Sequence, residues 1–232
     1  MDEEASAAFF AAYESLICDH VAPQVASACD AFTAGAFTPA EEGDVQISPT
    51  SRLGAPERPN LLRTSDGQET LWYACVPTLR VQTPSEEHAT IRPHVDGMYD
   101  LPDGSLNFWL PLTTLERSST LWVESRPGLE DFHPLTAATR FDGRRCLHFT
   151  LPNHSPHTRV SLDFRCIPGG LHNPDGRLAQ AGYFSSVVRD ASGAGRFVPA
   201  YRGQTSMLHG LPHTRTPAGW KTKRARGNKA NK

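Results

Sequence analysis

"TRVSLDFRCIP", residues 158–168, alternates polar and apolar side chains along its length. Successive side chains of a β-strand point to opposite faces, so this alternation predicts one strand whose two faces differ in polarity. The apolar face would carry Val160, Leu162, Phe164 and Cys166, and the polar face Arg159, Ser161, Asp163 and Arg165. We expect the apolar face to contact a hydrophobic core, and the polar face to meet either water or a polar cavity.

Short runs of β-branched and aromatic residues, bounded by turn residues, precede this stretch. They are TLWYACVPTLRVQ (70–82), SLNFWLPLT (105–113), STLWVES (119–125) and RRCLHFTL (144–151). Several strands at short spacing, with no long helix between them, are typical of a sandwich or a barrel. After residue 168, AGYFSSVV (181–188) predicts one more short strand and the remainder is predicted to be irregular.

The N-terminal part of the chain has a different pattern. Residues 2–31 repeat bulky apolar side chains at helical spacing, and acidic residues stand at the start, so we predict a helix that Pro23 breaks or kinks. Residues 33–69 are rich in Gly, Pro, Ser and Asp, which predicts loops and a strand near DVQIS (44–48).

The length of the chain and the distribution of its charges indicate the domain organisation. A chain of 232 residues suits one domain, which we assign to residues 1–220 with its β core at about 70–170. The last twelve residues, KTKRARGNKANK, hold six basic and no acidic side chains, which predicts a disordered tail at 221–232 or, alternatively, a nuclear-import or nucleic-acid-contacting arm. The rest of the chain is acidic, which argues against binding of nucleic acid by the folded domain.

Cysteine usage and hydropathy bear on the compartment. The five cysteines are scattered and form no C-x-x-C pair, so neither a disulfide framework nor a zinc knuckle is indicated. No window approaches the roughly 18 apolar residues of a membrane span, and the N-terminus is acidic where a secretory signal would be basic. We therefore expect a cytoplasmic protein without a membrane partner.

Three residues form a candidate metal site. His94 and Asp96 stand two apart in IRPHVDGMYD (91–100), and His148 lies in a later predicted strand. Two imidazoles and one carboxylate on one face of an iron(II) ion leave further positions for a cosubstrate and oxygen. The competing interpretation of His94 and Asp96 is a turn histidine before a capping aspartate, and His154 and His157 lie close to His148 as alternative ligands.

Other polar side chains are candidates for binding. Arg159 and Ser161 share a strand face and could together bind a carboxylate, although Arg159 could instead pair with Asp163. Asn107 is predicted to face the interior and to bind a cosubstrate or a metal-bound carboxylate, or to make a structural hydrogen bond. The candidates for substrate contact are Arg80 and Gln82, which share a strand face, and Tyr99, Trp109 and Arg165.

The order H-x-D (His94, Asp96), a distal histidine (His148) and R-x-S (Arg159, Ser161) resembles that of the iron(II)/2-oxoglutarate-dependent dioxygenases. More loosely, residues 70–170 look like members of that superfamily from natural-product pathways, including the streptomycin-biosynthesis type. The resemblance implies a mainly β fold with flanking helices, namely a double-stranded β-helix (a jelly-roll, cupin-like barrel) with N-terminal α-helices.

The resemblance also implies a reaction. His94, Asp96 and His148 would hold Fe(II), Arg159 would bind the distal carboxylate of the cosubstrate 2-oxoglutarate with help from Ser161, and O2 would be the oxidant. The substrate would be a small polar molecule that is hydroxylated, cyclised or desaturated in a biosynthetic pathway. Two other readings stay open: an oxygenase of the same kind acting on protein or nucleic acid, and a jelly-roll binding module without catalysis.

Overall fold

The computed structural model of the protein describes residues 3–33, 60–99, 101–191 and 195–204. The strand predicted near 44–48 and the basic tail at 221–232 lie outside these ranges. Within them, no helix combines the length and the hydropathy that crossing a membrane requires.

The N-terminal helix changes its winding at the position where proline was expected to disturb it. Helix α1 (Glu3–Leu16) continues into a π-helical turn (Ile17–Val21), and α2 (Ala22–Thr33) follows without a gap. The N–H of Ala22 donates to the carbonyl of Ile17, five residues back. Pro23 has no N–H to donate, and its ring would clash with the carbonyl four residues earlier in an α-helix. The wider turn relieves that conflict, so the helical path continues past the proline.

The described residues contain ten strands and three short helical segments. The strands are β1 (Thr70–Ala74), β2 (Thr78–Gln82), β3 (Leu106–Pro111), β4 (Leu121–Glu124), β5 (Phe132–Pro134), β6 (Thr139–Phe141), β7 (His148–Thr150), β8 (Arg159–Pro168), β9 (Phe184–Arg189) and β10 (Phe197–Tyr201). The short helices are two 3-10 turns (Asp96–Tyr99 and Gly169–Leu171) and α3 (Arg177–Gln180).

The strands form two antiparallel sheets. The large sheet has the order β10-β9-β1-β8-β3-β6, and β2 also pairs with β8. The ten-residue strand β8 is the organising strand, since it pairs with β1, β2 and β3. The small sheet has the order β5-β4-β7. The fold is therefore mainly antiparallel β with N-terminal helices, as predicted.

Two hydrophobic cores hold these layers together. The first joins α1, the π-helical turn and α2 to one face of the large sheet, through side chains such as Tyr13, Val25, Phe108 and Phe164. The second core joins the two sheets and consists of Ile91, Trp109, Leu121, Val123, Leu135, Phe141 and Cys146. The inner face of the large sheet thus lies against the small sheet, and β8 turns its polar side chains towards this interior.

Three strands differ from the sequence-based expectation. Strands β5 and β6 have only three residues each, too few for an alternating pattern to be recognised. Strand β10 was predicted to be irregular; four of its five residues are exposed, so it has no apolar inner face to signal a strand.

Candidate active site

The two candidate histidine ligands are paired through the backbone. The N–H of His148 donates to the carbonyl of His94 at 3.0 Å, and the N–H of His94 donates back to the carbonyl of His148 at 3.2 Å. This isolated antiparallel bridge attaches the segment before the Asp96–Tyr99 turn to β7. Residues paired in this way project their side chains to the same face of a sheet, so the two imidazoles lie side by side.

Each imidazole is held by a hydrogen bond to the carbonyl two residues earlier in the chain. The Nδ1 of His94 donates to Arg92 at 2.8 Å, and the Nδ1 of His148 donates to Cys146 at 3.0 Å. Since a carbonyl can only accept, both rings carry the proton on Nδ1 and leave the lone pair of Nε2 available. These Nε2 atoms lie 3.4 Å (His94) and 3.7 Å (His148) from Oδ1 of Asp96.

The Asp96 carboxylate is buried, and its two oxygens have different surroundings. Oδ2 accepts hydrogen bonds from Nδ2 of Asn107 at 2.5 Å and from two nitrogens of Arg165 at 3.0 and 3.2 Å. Oδ1 has no hydrogen-bond partner in the described part of the protein. A buried carboxylate oxygen without a donor is costly, and a cation between it and the two Nε2 atoms would remove that cost.

The geometry of the three side chains therefore fits a metal ion. One ligand atom from each of His94, Asp96 and His148 lies within 4.8 Å of the others. Two neutral imidazoles and one carboxylate suit a divalent transition metal such as iron(II).

Electrostatics favour the protonation states that a metal requires. Burial opposes ionisation of Asp96, but the positive charge of Arg165 and the hydrogen bonds that Oδ2 accepts outweigh it and hold the pKa of this carboxyl below its ordinary value. Burial lowers the pKa of His148 to about 4, more than the opposing charge of Asp96 raises it. At neutral pH the site therefore presents a carboxylate and a neutral imidazole, which are both metal-binding forms.

Arg159 lies on the same face of β8 as Arg165, and its side chain is fully buried. Its guanidinium donates to Ser119 O at 3.0 Å, to Oε1 of Gln82 at 2.7 Å and to Oγ of Ser161. All three acceptors are neutral, and no carboxylate of the described residues lies within ion-pair distance of it. Burial, followed by the charge of Arg80, lowers the pKa of Arg159 to about 10. A buried cation with only neutral partners is a strong site for an anionic ligand.

The other candidate residues have distinct positions. Asn107 contacts Asp96 as described, and Trp109 is buried in the core between the sheets, 5.9 Å from the guanidinium carbon of Arg159. Tyr99 is half exposed and its ring packs edge-on against His94. Arg80 and Arg165 both bind Asp163, and Arg165 also binds Asp96, so the two arginines contact carboxylates of the protein itself.

Two supporting residues, Gly143 and Asn153, were not identified from the sequence, and a third, Gln82, was predicted as a substrate contact. Gln82 pairs directly across from Arg159 in the register of β2 and β8, and its side chain also donates to Leu151 O at 2.7 Å. Gly143 accepts the N–H of Asp96 at 2.7 Å and lies against Asn107. Asn153 is fully buried and donates to the carbonyls of Gln82 and His157, which fixes the turn before β8. Of the three, only Gln82 had a sequence signal, since it shares a strand face with Arg80 in TLRVQ.

Comparison with known proteins gives partial similarities. No protein-family model matches the chain. The chain is 28% identical to the streptomycin biosynthesis protein StrG of Streptomyces griseus over 112 residues, which are 48% of this chain and 54% of that protein. It therefore spans about half the length of the curated relative it matches.

Two solved structures overlap with parts of the chain. A non-heme monooxygenase, ThoJ in complex with nickel, is 18% identical and covers 59% of this chain and 58% of its own, with a TM-score of 0.41. The epimerase SnoN, in complex with Fe3+, alpha-ketoglutarate and nogalamycin RO, is 16% identical and covers 57% of this chain and 61% of its own, with a TM-score of 0.33. Both TM-scores lie below 0.5, so the overlaps are partial.

Proposed function

We propose that the protein is an iron(II)- and 2-oxoglutarate-dependent oxygenase that oxidises a small polar molecule in a biosynthetic pathway. The observation that carries this proposal is the buried Oδ1 of Asp96, which lacks a hydrogen-bond partner and faces the Nε2 atoms of His94 and His148. The two facing sheets are, in this proposal, the halves of a double-stranded β-helix, with residues 1–220 as one domain.

The cosubstrate part of the proposal rests on Arg159. This buried guanidinium has neutral partners only, and it lies on the same face of β8 as Arg165, which contacts Asp96. A dicarboxylate such as 2-oxoglutarate could bind the metal with one end and Arg159 with the other. Ser161 would add a hydroxyl to that second contact. The need to neutralise Arg159 distinguishes this site from a simple metal-binding module.

The contribution of the chain would be positioning. When bound, iron(II) with 2-oxoglutarate and O2 supplies the oxidising power for attack on an unactivated C–H bond, and 2-oxoglutarate leaves as succinate and carbon dioxide. His94, His148 and Asp96 would hold the ion in one geometry, while Arg159 would orient the cosubstrate. The inter-sheet core around Trp109 would exclude water from one side of the site.

The partial similarity to StrG supports a biosynthetic role. Hydroxylation, ring closure and desaturation would use the same ligands. Tyr99, half exposed beside His94, is the proposed substrate contact at the open side of the site.

The proposal is tested by mixing the purified protein with iron(II) and 2-oxoglutarate under nitrogen and recording the visible spectrum. A weak charge-transfer band of the chelate is expected in the parent protein. His148→Ala should abolish the band, whereas Arg159→Ala should retain it only at a 2-oxoglutarate concentration at least about tenfold higher.

His154→Ala is the matched control, because His154 is an exposed histidine of the turn before β8. This variant should give the parent spectrum at the parent concentration of cosubstrate. A folded, metal-loaded parent that develops no band with 2-oxoglutarate would reject the oxygenase proposal and favour a binding module. Dependence of activity on residues 221–232, lost at high salt, would instead favour a macromolecular substrate.

A further inference from the structure

We propose that Arg165 is a positioning residue that occupies Oδ2 of Asp96 and thereby restricts the carboxylate to a single metal-binding oxygen, Oδ1. The inference rests on the proposed function only in requiring a metal ion at His94, Asp96 and His148. It concerns how many coordination positions of that ion are filled by protein atoms and how many stay open for other ligands.

The hydrogen bonds that the Asp96 carboxylate accepts all go to one of its two oxygens. Oδ2 accepts three hydrogen bonds, two from the Nε and Nη2 atoms of Arg165 and one from Asn107, whereas Oδ1 accepts none. A carboxylate oxygen saturated by three donors has little capacity left for a metal ion. A carboxylate can bind a metal through one oxygen or through both. Arg165 and Asn107 therefore determine that Asp96 binds through one.

Arg165 is itself held from the opposite side. Its Nη1 donates to Oδ1 of Asp163 at 3.1 Å, and Oδ2 of Asp163 accepts the Nε of Arg80 at 2.6 Å. All three side chains, from β8 and its neighbour β2, lie on the inner face of the large sheet. The row runs from the partly exposed Arg80 to the buried Asp96, with alternating charge. Since three nitrogens of Arg165 are bound, its planar guanidinium has one orientation.

The arrangement has a consequence for the metal. If Oδ2 were released, Asp96 could rotate or bind through both oxygens, and a coordination position needed by the cosubstrate would be lost. Asn107 alone could not prevent this, because one neutral amide is a weaker partner for a carboxylate than a guanidinium that donates twice. By holding Oδ2, Arg165 would therefore keep one coordination position of the metal ion available for the cosubstrate.

The test uses cobalt(II) as the probe, because its visible absorption reports coordination number and geometry without turnover. The apoprotein, Arg165→Met and Arg165→Lys are titrated with cobalt(II), and the spectra and dissociation constants are compared. Arg165→Met should shift the cobalt(II) absorption bands and raise the dissociation constant of 2-oxoglutarate at saturating metal at least about tenfold. Arg165→Lys keeps the charge but cannot donate two hydrogen bonds in one plane. Its cobalt(II) spectrum should therefore lie between that of the parent protein and that of Arg165→Met.

Arg80→Met is the matched control, since it removes a guanidinium from the same row without touching Asp96. Its cobalt(II) spectrum should equal that of the parent protein. Band positions in Arg165→Met identical to those of the parent would overturn the inference. If Arg165→Met does not fold, Arg165→Lys decides, and a spectrum identical to the parent would overturn it equally.

The same titration distinguishes this inference from the proposed function. A parent protein that binds cobalt(II) but not 2-oxoglutarate would reject the oxygenase, while the cobalt(II) spectra of the variants would still test Arg165. A folded parent that binds no cobalt(II) would overturn both.

Discussion

Arg159 donates a hydrogen bond of 2.7 Å to the side-chain oxygen of Gln82, which lies directly opposite it on the neighbouring strand. Both side chains are buried. The partner of this buried cation is thus a neutral amide where a carboxylate would balance the charge. The distinction between Gln and Glu at position 82 is therefore a distinction between an open and an occupied anion site.

Gln82→Glu should weaken 2-oxoglutarate binding. A carboxylate at this position would form an ion pair with Arg159 and compete with the distal carboxylate of the cosubstrate, so the dissociation constant should rise at least about tenfold. The measurement is a titration of the iron(II)-loaded protein with 2-oxoglutarate under nitrogen. Gln82→Met, which adds no charge, should raise this dissociation constant less than Gln82→Glu does. Equal dissociation constants for the parent and Gln82→Glu would contradict the proposal that Arg159 binds the distal carboxylate.

Glu124→Gln should lower thermal stability. The carboxylate of Glu124, at the end of β4, accepts the N–H groups of Glu130 at 2.9 Å and Leu147 at 3.0 Å, and so connects the loop before β5 to the segment entering β7. An amide supplies only one acceptor oxygen, and loss of a charged hydrogen bond costs about 1–3 kcal/mol. For a chain of this size the melting temperature should fall by about 3–10 °C in calorimetry at pH 7.

The effect of Glu124→Gln should also depend on pH. Burial raises the pKa of Glu124, but the backbone N–H groups outweigh it and lower the pKa from its ordinary value of 4.5. A group with a lowered pKa stabilises the fold above its ordinary pKa and loses this effect as the pH falls towards the lowered one. The melting-temperature difference should hence shrink below about pH 4.5. Glu87→Gln, at an exposed position, should show no difference at either pH.

Gly143→Ala should disturb the metal site through Asn107. A Cβ at position 143 would overlap the amide group of Asn107, which donates to Asp96. Displacement of a partner that orients a metal ligand costs about 10–100-fold in metal affinity. The measurement is the cobalt(II) dissociation constant of Gly143→Ala, Asn107→Ala and the double variant. In the Asn107→Ala background the glycine substitution should have no further effect, and additive losses would refute the mechanism.

Tyr13→Phe should destabilise the contact between helix α1 and the large sheet. The buried hydroxyl of Tyr13 donates to Ala74 O at 2.9 Å, while its ring packs edge-on against Tyr73 and Phe164. Removing the hydroxyl leaves that carbonyl without this donor, at a cost of about 1 kcal/mol, or about 2–4 °C in melting temperature. Tyr99→Phe, at an exposed position, should leave the melting temperature unchanged.

The larger elements of the fold could be predicted because their side chains follow a period. Strands β1, β2, β3, β4, β7 and β8 lie within segments that the sequence pattern marked as strands, and β9 extends one residue beyond its predicted segment. The inner polar face of β8 was predicted only as meeting water or a polar cavity, because an alternating pattern does not reveal what covers each face. In the structure Arg159 and Ser161 are fully buried there.

The candidate site, like the fold, could be predicted only in part. His94, Asp96, His148 and Arg159 are chemically distinctive side chains at recognisable spacings. Gly143 acts through its backbone carbonyl and its lack of a side chain, so no residue pattern marks it. The role of Gln82 depends on the register between β2 and β8, which is a property of the folded sheet. The contact of Arg165 with Asp96 joins residues 69 positions apart and is likewise created by folding.

The reciprocal backbone hydrogen bonds between His94 and His148 have a consequence for engineering. They fix the separation of the two Cα atoms by the peptide groups alone, independently of which side chains these positions carry. Cysteine or glutamate could therefore be introduced at either position as a different donor, on a scaffold whose spacing is retained. Replacement at 94 or 148 thus offers a route to sites with altered metal preference or redox potential, without redesign of the strands that support them.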